Sequence, residues 1–360
     1  MFESDLDNFE AVARIIVIGV GGAGNNAVNR MIDENISSVE FYVANTDKQA
    51  LSTSKARNRL VLGNDSYKGL GAGGDPKVGE NAALQSEDDI RNIVRGADMV
   101  FIAAGMGGGT GTGASPVIAR IAREEGALTV AIVTRPFGFE GKKRISQSVE
   151  GLTKLKENVD AIIIVSNDKL LMMNGQSPIS EAFSESDKVL AQSVKTVTDL
   201  ILMPAVINLD FEDVNKTLRN SGIALIGFGM GSGPNKAQEA ATSAIASPLL
   251  EVSIHGARTA IIAVTCGRNV SLFEAQDCAN QIVEAAGGTI DMKFGVSINP
   301  ELEDQILVSV IATDFAEEND FTVVPTFTPI QPRTVEETKE DEVEEDDDSI
   351  LPNFLKGSDF

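Results

Sequence analysis

The sequence predicts an α/β protein: a doubly wound parallel-sheet domain, a long central helix, a second, smaller α/β domain with a mixed sheet, and a disordered acidic tail. Three observations predict it. Short runs rich in β-branched residues alternate with helical patterns through the first half. Two of those runs, ending at Val20 and Ala104, are followed at once by glycine clusters. A long glycine-free helical pattern then separates this half from one in which the elements come in a different order. Strands alternating with helices imply a sheet covered on both faces. Ligands of such sheets bind at the carboxyl ends of the strands, where the glycines fall.

In chain order, residues 14–20 (Arg14-Ile15-Ile16-Val17-Ile18-Gly19-Val20) suit a strand buried on both faces. A helix is expected over 25–35 and strands over 39–44 and 98–104, then a helix over 115–125. Strands at 128–133 and 161–165 flank a charged helix over 141–158. From 181 to 202, Leu190, Val194, Val197 and Ile201 recur at three- and four-residue spacing, one buried stripe of a helix. A loop at 208–211 leads into a helix ending near 219. The second half reads as strands near 223–228, 259–265, 289–296 and 305–312, with helices over 236–246 and 271–285. The expected divisions are an extension (1–12), a ligand-binding domain (13–178), the central helix (179–203), a second domain (204–316), an acidic linker (317–348) and a terminal peptide (349–360).

Composition narrows the function. The 360 residues carry a net charge of -23, and ten acidic residues stand against one lysine between Glu336 and Asp348. Such a run is solvated and repels itself. Nucleic acid is not an expected partner, because its recognition needs a basic footprint. Cys266 and Cys278 lie in apolar surroundings and read as reduced, partly buried thiols. The single histidine, His255, has no neighbour at zinc-ligand spacing, so no metal site is expected. The first residues, Met1-Phe2-Glu3-Ser4-Asp5, lack a basic region and an apolar core, and no stretch of about twenty apolar residues occurs. A cytoplasmic protein is expected. Beyond the acidic run, Ile350-Leu351-Pro352-Asn353-Phe354-Leu355 reads as a peptide that docks in a partner's groove.

The glycine clusters carry the chemistry. Gly19-Val20-Gly21-Gly22-Ala23-Gly24 matches G-x-G-x-x-G, and Asp47 falls about where a dinucleotide fold keeps its ribose-binding acid. Alone, this suggests an NAD- or FAD-dependent oxidoreductase. The second cluster, Gly107-Gly108-Gly109-Thr110-Gly111-Thr112-Gly113, offers closely spaced backbone N–H groups and hydroxyls, a cradle for several phosphate oxygens. A third, Gly69-Leu70-Gly71-Ala72-Gly73-Gly74, is placed to reach the same edge. Three loops point to a triphosphate, where a dinucleotide needs one. No G-x-x-x-x-G-K-[ST] occurs, so this is not a P-loop protein.

Gly107 to Gly113 resembles the signature run of the tubulin/FtsZ family. Gly21-Gly22-Ala23-Gly24-Asn25, Asn45-Thr46-Asp47, Gly71-Ala72-Gly73-Gly74, Phe139-Glu140-Gly141-Lys142-Lys143-Arg144 and Asn208-Leu209-Asp210-Phe211 are similar to family motifs and follow in family order. The terminal peptide, Ile350, Leu351, Pro352, Phe354 and Leu355, resembles the family's partner-binding segment. The resemblance implies a GTP-dependent filament protein of bacterial cell division that hydrolyses GTP to GDP, with Mg²⁺ accompanying the triphosphate. It implies that Gly21, Gly22, Asn25, Gly73, Gly74, Gly108, Gly109, Thr110 and Gly111 hold the phosphates, and that Ala23, Gly24, Asn45, Gly107 and Thr134 also line the nucleotide site. Glu140 and Arg144 would contact the ribose and nearby groups. Phe183 would pack on the base, although its residue type alone reads as ordinary core. Asp187 would accept the two N–H donors of guanine's edge, a pair that adenine does not offer. Asn208, Asp210 and Asp213 would complete the site of a neighbouring subunit in a homopolymer; the plain reading of Asp213 is a helix N-cap. Glu212 and the Met203-Pro204-Ala205-Val206 approach depart from the family pattern, which bears on the hydrolysis rate. A third reading is a non-hydrolysing scaffold that uses nucleotide only for stability.

Overall fold

Three strands of the first half lie side by side in parallel: β1 (Ile15–Val20), β2 (Glu40–Asn45) and β4 (Met99–Gly105), with β1 central. Every residue of β1 is buried, as expected for a run of Ile and Val with helices on both faces. The computed structural model describes residues 13–36, 39–63, 68–173, 179–202, 205–246, 254–288 and 290–315. All lie within the first of two compact units, residues 1–324. The terminal peptide and most of the acidic linker fall in the second unit, outside the described residues.

The sheet is completed by β3 (Asn58–Val61), β5 (Leu128–Arg135), β6 (Ala161–Ser166), β7 (Gly222–Gly231), β8 (Ala257–Cys266), β9 (Asp291–Ile298) and β10 (Ile306–Phe315). Its order is β3-β2-β1-β4-β5-β6-β7-β10-β8-β9. The strands from β3 to β7 are parallel; β10 runs antiparallel to β7 and β8, and β9 is parallel to β8. The expected parallel first half and mixed second half are both present. The pairing of β6 with β7 was not legible in the sequence. It joins the two halves through three register pairs, Ala161 with Gly222 to Ile163 with Ala224, at the amino-terminal ends of both strands.

The helices are α1 (Gly21–Asp33), α2 (Lys48–Ser52), α3 (Pro76–Gln85), α4 (Glu87–Val94), α5 (Thr110–Glu124), α6 (Lys142–Lys156), α7 (Asn167–Met173), α8 (Ile179–Leu202), α9 (Phe211–Leu218), α10 (Lys236–Ile245) and α11 (Leu272–Ala286). The stripe expected on the central helix is buried on α8. Leu190, Ala191, Val194 and Val197 pack in one cluster with Ala27, Val28 and Met31 of α1 and Phe101 of β4, and half-buried Ile201 lies against it. The opposite face of the sheet is covered by residues such as Ile118 and Ile121 of α5 and Leu152 of α6. α2, α3, α4 and α7 were not expected, although some of their signals stand in the sequence. Asp75 accepts from the backbone N–H of Lys77 ahead of Pro76 at the first helical position, and Glu87, Asp88 and Asp89 fill the first turn of α4. The cysteines are free and more deeply buried than the sequence suggests, and burial pushes their thiols up to about 11 for Cys266 and about 12 for Cys278.

Candidate nucleotide-binding and catalytic site

Two helices start where the sequence reads as loop. α1 begins at Gly21 and not near Asn25, and α5 begins at Thr110 and not near Ser115. Half of the second glycine cluster is therefore the first turn of a helix. No side chain caps either start, so the first N–H groups of both helices lack intrahelical partners and face the carboxyl edge of β1 and β4. Anions favour such ends.

Glycine is required here for two different reasons. A Cβ on Gly21 would stand 2.8 Å from the Gly111 nitrogen, and one on Gly109 would stand 2.7 Å from the Ala72 Cβ and 3.0 Å from the Asp75 nitrogen. The three glycine clusters are thus packed against one another, as the third was expected to be. At Gly22, Gly73, Gly74 and Gly108 a Cβ would meet nothing within 4 Å. These four border open space, which is the shape a ligand-facing backbone has.

Hydrogen bonds tie the cradle together. The Thr46 and Thr110 hydroxyls lie 2.6 Å apart, both buried, and the Gly107 N–H donates to Thr112 Oγ1 at 2.8 Å. With its amide nitrogen facing the carbonyls, Asn25 donates to Gly21 and Gly19 at 2.9 and 3.0 Å, and its oxygen accepts from Asn45 at 3.2 Å. Gly71 donates to the Thr46 carbonyl at 3.1 Å, and Gln147 of α6 donates to the Gly74 carbonyl at 3.2 Å. Ala23 abuts Gly105, and Thr134, buried at the end of β5, pairs with Gly105 and accepts from the Met106 N–H at 2.9 Å. Asp47 has one carboxylate oxygen committed to the backbone. It caps α2, accepting from Gln49 and Ala50 at 2.8 and 3.3 Å.

Beside the cradle, Glu140 accepts from the Phe137 N–H at 2.9 Å and is ion-paired with Arg144. α6 opens with Lys142, Lys143 and Arg144, three cations at the positive end of a helix, the reverse of what its dipole prefers. That charge inversion is a sequence signal for an anionic ligand, and reading residue types alone passed over it. Phe183 is not core: it is 42% exposed and meets Phe137 edge-on at 5.0 Å, while Phe137 stacks on Phe139 at 5.0 Å. One turn along α8, burial pushes the Asp187 carboxyl up to about 6, against the pull of the Arg30 charge.

Asn208, Asp210 and Asp213 lie elsewhere. The helix cap is Asp210 and not Asp213: Asp210 Oδ1 accepts from the Asp213 N–H at 2.8 Å. Asp213 instead faces Lys293 of β9 at 3.9 Å. Glu212 points along its own helix to Lys216 at 3.8 Å and Asn215 at 3.2 Å. The loop is anchored by Val206 and Ile207 on Val296 of β9. α9 then feeds the amino-terminal end of β7, where the Gly222 N–H donates to the Asp160 carbonyl at 2.9 Å. The glycine cradle is at the carboxyl ends of strands parallel to these, and a seven-residue strand such as β4 spans about 20 Å. Within one chain, α8 begins beside the cradle, where Phe183 meets Phe137, and its 24 residues run about 36 Å before the chain reaches the carboxylate loop, so that loop and cradle lie at opposite ends of the helix.

Comparison with known proteins agrees with the geometry. Residues 14–175 match the model of the Tubulin/FtsZ family, GTPase domain, and residues 222–316 match that of the FtsZ family, C-terminal domain. The chain is similar to the empty FtsZ dimer of M. jannaschii, with 40% identity, 85% of this chain and 89% of that chain covered, and a TM-score of 0.80. A tryptophan-to-tyrosine mutant of the same FtsZ matches at 40% identity over 84% and 91%, also at 0.80. CetZ1 from Haloferax volcanii, a GDP-bound monomer, shares the fold at 19% identity over 83% and 93%, with a TM-score of 0.72. With its cradle, its second-half sheet and two family matches in the order of the fold, the chain belongs to the tubulin/FtsZ family of GTPases, on its FtsZ side.

Proposed function

We propose that this chain is a GTP-dependent, self-assembling filament protein of the cytokinetic ring at the bacterial division site. Subunits add head to tail, so that Asn208, Asp210 and Asp213 of one subunit complete the cradle of the next. The observation that carries this reading is the separation just described: cradle and carboxylates lie at opposite ends of α8, so only a second copy brings them together. The FtsZ of M. jannaschii is described as a dimer, in keeping with self-association. Residues 13–178 act as the GTP-binding domain, 179–203 as the connecting helix and 204–316 as the activating domain.

In this mechanism the uncapped helix starts and the glycine N–H groups hold the phosphates, with Asn25 and Asn45 fixing the first turn of α1 that carries Gly21 and Gly22. Phe183 lies against the base and Asp187 accepts from guanine. A magnesium ion bound to the triphosphate would offset part of its charge. The incoming Asp210 and Asp213 position and polarise the attacking water, since catalysis of phosphoryl transfer is mainly positioning and charge stabilisation. The terminal peptide, outside the described residues, docks on membrane tethers and regulators and holds this cytoplasmic protein at the inner face of the membrane. No helix among the described residues is long and apolar enough to cross a membrane.

The test is light scattering and sedimentation with phosphate release. Assembly with GTP but not GDP, with phosphate released on assembly, is the expected result. A protein that stays monomeric with GTP and Mg²⁺ contradicts the proposal, and assembly without release makes it a scaffold. Co-purified NAD or FAD would revive the oxidoreductase reading.

Two further results are expected. Thr110→Val leaves the buried Thr46 hydroxyl without its partner, at a cost of about 1–3 kcal/mol of stability, and weakens GTP binding. Adding Thr46→Val recovers part of that stability in a denaturant titration but none of the GTP affinity. Unchanged affinity in the single variant would confine Thr110 to a structural role. GTP affinity also depends on pH through Asp187, because only the carboxylate accepts both guanine N–H groups. As pH falls below about 6 the group takes a proton and binding weakens by about tenfold per unit. Asp187→Asn, titrated in parallel to subtract the nucleotide's own protonation, loses this component; parallel curves would remove Asp187 from the guanine contact.

A further inference from the structure

At the amino-terminal edge of the sheet, opposite the cradle, one buried carboxylate gathers elements from both halves of the chain. Asp160 directly precedes β6, and its side chain is 2% exposed. Its Oδ2 accepts from the Thr129 N–H of β5 at 2.9 Å. Arg123, in the last turn of α5, lies 3.7 Å from Oδ1, and Arg219, the C-cap of α9, lies 3.9 Å from Oδ2. Arg219 is held to its own helix, while Arg123 also reaches across the junction. Arg219 Nε donates to Asn215 of α9 at 2.9 Å. Arg123 donates to the Glu157 carbonyl at 3.2 Å and to the Asn220 side chain, just past α9, at 2.9 Å. A buried carboxylate needs such partners, and removing one leaves charge uncompensated.

The helices that meet here begin at the two halves of the proposed reaction. α5 opens at Thr110 in the cradle and runs fifteen residues, about 22 Å, to the Asp160 cluster. α9 opens at the Asp210 cap and runs eight residues, about 12 Å, to Arg219. We propose that Asp160, with Arg123 and Arg219, is a positioning cluster that sets α9 against α5 and so fixes where a subunit presents Asp210 and Asp213 to its neighbour's nucleotide. This rests on the shared-site reading above. Asp160 touches no substrate; it acts through the rigid helix that carries the carboxylates. Loss of the contacts at Arg219 would let the short α9 tilt about its buried side chains Val214 and Leu218 and move its cap.

The test uses Arg219→Gln, which removes the α9 side of the cluster at a half-exposed residue, and Asp160→Asn, which keeps an acceptor for the Thr129 N–H but no charge. Both are expected to bind GTP with unchanged affinity and to sediment with GTP, while turnover per assembled subunit falls about 3- to 30-fold, the range for substitutions along such networks. Arg219→Lys, which restores the cation, recovers most of the rate. In mixed filaments Arg219→Gln gains turnover from Thr110→Val subunits, which bring a normal α9, and gains none from Asp210→Asn subunits, which share its defect. Full turnover per assembled subunit in both variants, or a lower melting temperature as their sole change, overturns the inference. A mixture of Asp210→Asn with Thr110→Val that exceeds its summed rates upholds the shared site independently of that outcome; one that does not overturns the shared site and this inference with it.

Discussion

Asp210→Asn is expected to bind GTP and assemble like the parent protein while losing hydrolysis by about 100-fold or more, the scale of a positioned carboxylate acting on a proton or water. Asparagine is the informative replacement. Asp210 caps α9 through its bond to the Asp213 N–H, and asparagine caps a helix as well as aspartate does. The variant therefore removes the charge and keeps the helix start. Alanine removes both and adds about 1 kcal/mol of helix destabilisation to the kinetic effect. A lone subunit holds its own Asp210 far from its own cradle, so in the proposed shared site the defect belongs to the neighbour. Mixing with Thr110→Val, whose Asp210 is normal but whose nucleotide binding is weak, creates junctions where GTP on the asparagine variant meets an intact carboxylate. Phosphate release above the sum of the separate rates, after sedimentation confirms co-assembly, is the expected result. A co-assembled mixture that stays at the sum would assign each Asp210 to its own subunit's nucleotide.

The second large effect is a loss of GTP binding without a loss of fold. Gly108→Val and Gly22→Val place a branched side chain where a Cβ meets no neighbour within 4 Å, and neither position needs positive φ. The apo protein accommodates both changes. A phosphate that approaches the backbone does not, because the side chain occupies its place and holds the N–H groups beyond hydrogen-bond reach. Losing two or more charge-assisted hydrogen bonds, each worth about 1.5–3 kcal/mol, lowers affinity by at least about 100-fold. Gly24→Ala is the contrast. Its Cβ would stand 2.2 Å from the Ala103 carbonyl oxygen, so α1 must lift from the sheet and the fold is lost first. Circular dichroism with a nucleotide-binding titration separates the two cases. A Gly108→Val protein with full GTP affinity would place the phosphates elsewhere.

Much of this was open to a reader of the sequence. The buried strands of the first half announce themselves because both faces of a parallel strand are covered, which forces runs such as Ile15-Ile16-Val17-Ile18. The glycine clusters mark the ligand edge because a backbone that approaches phosphate tolerates no side chain, and the Leu190–Val197 stripe marks α8 because one helical face must be buried. Local sequence also held the cap before α3 and the acidic first turn of α4, which period-based reading missed. Tertiary structure alone decided three things. It divided the glycines into those packed against a neighbouring cluster, such as Gly21 and Gly109, and those that border open space, such as Gly22 and Gly108, since that depends on what lies opposite each Cβ. It moved Phe183 from apparent core to an exposed face, because the neighbours that decide a phenylalanine's burial come from Phe137 and Phe139, far away in the chain. It also placed Asp210 and the cradle at opposite ends of α8, because what packs beside each end of that helix is a long-range choice that no window of residues encodes.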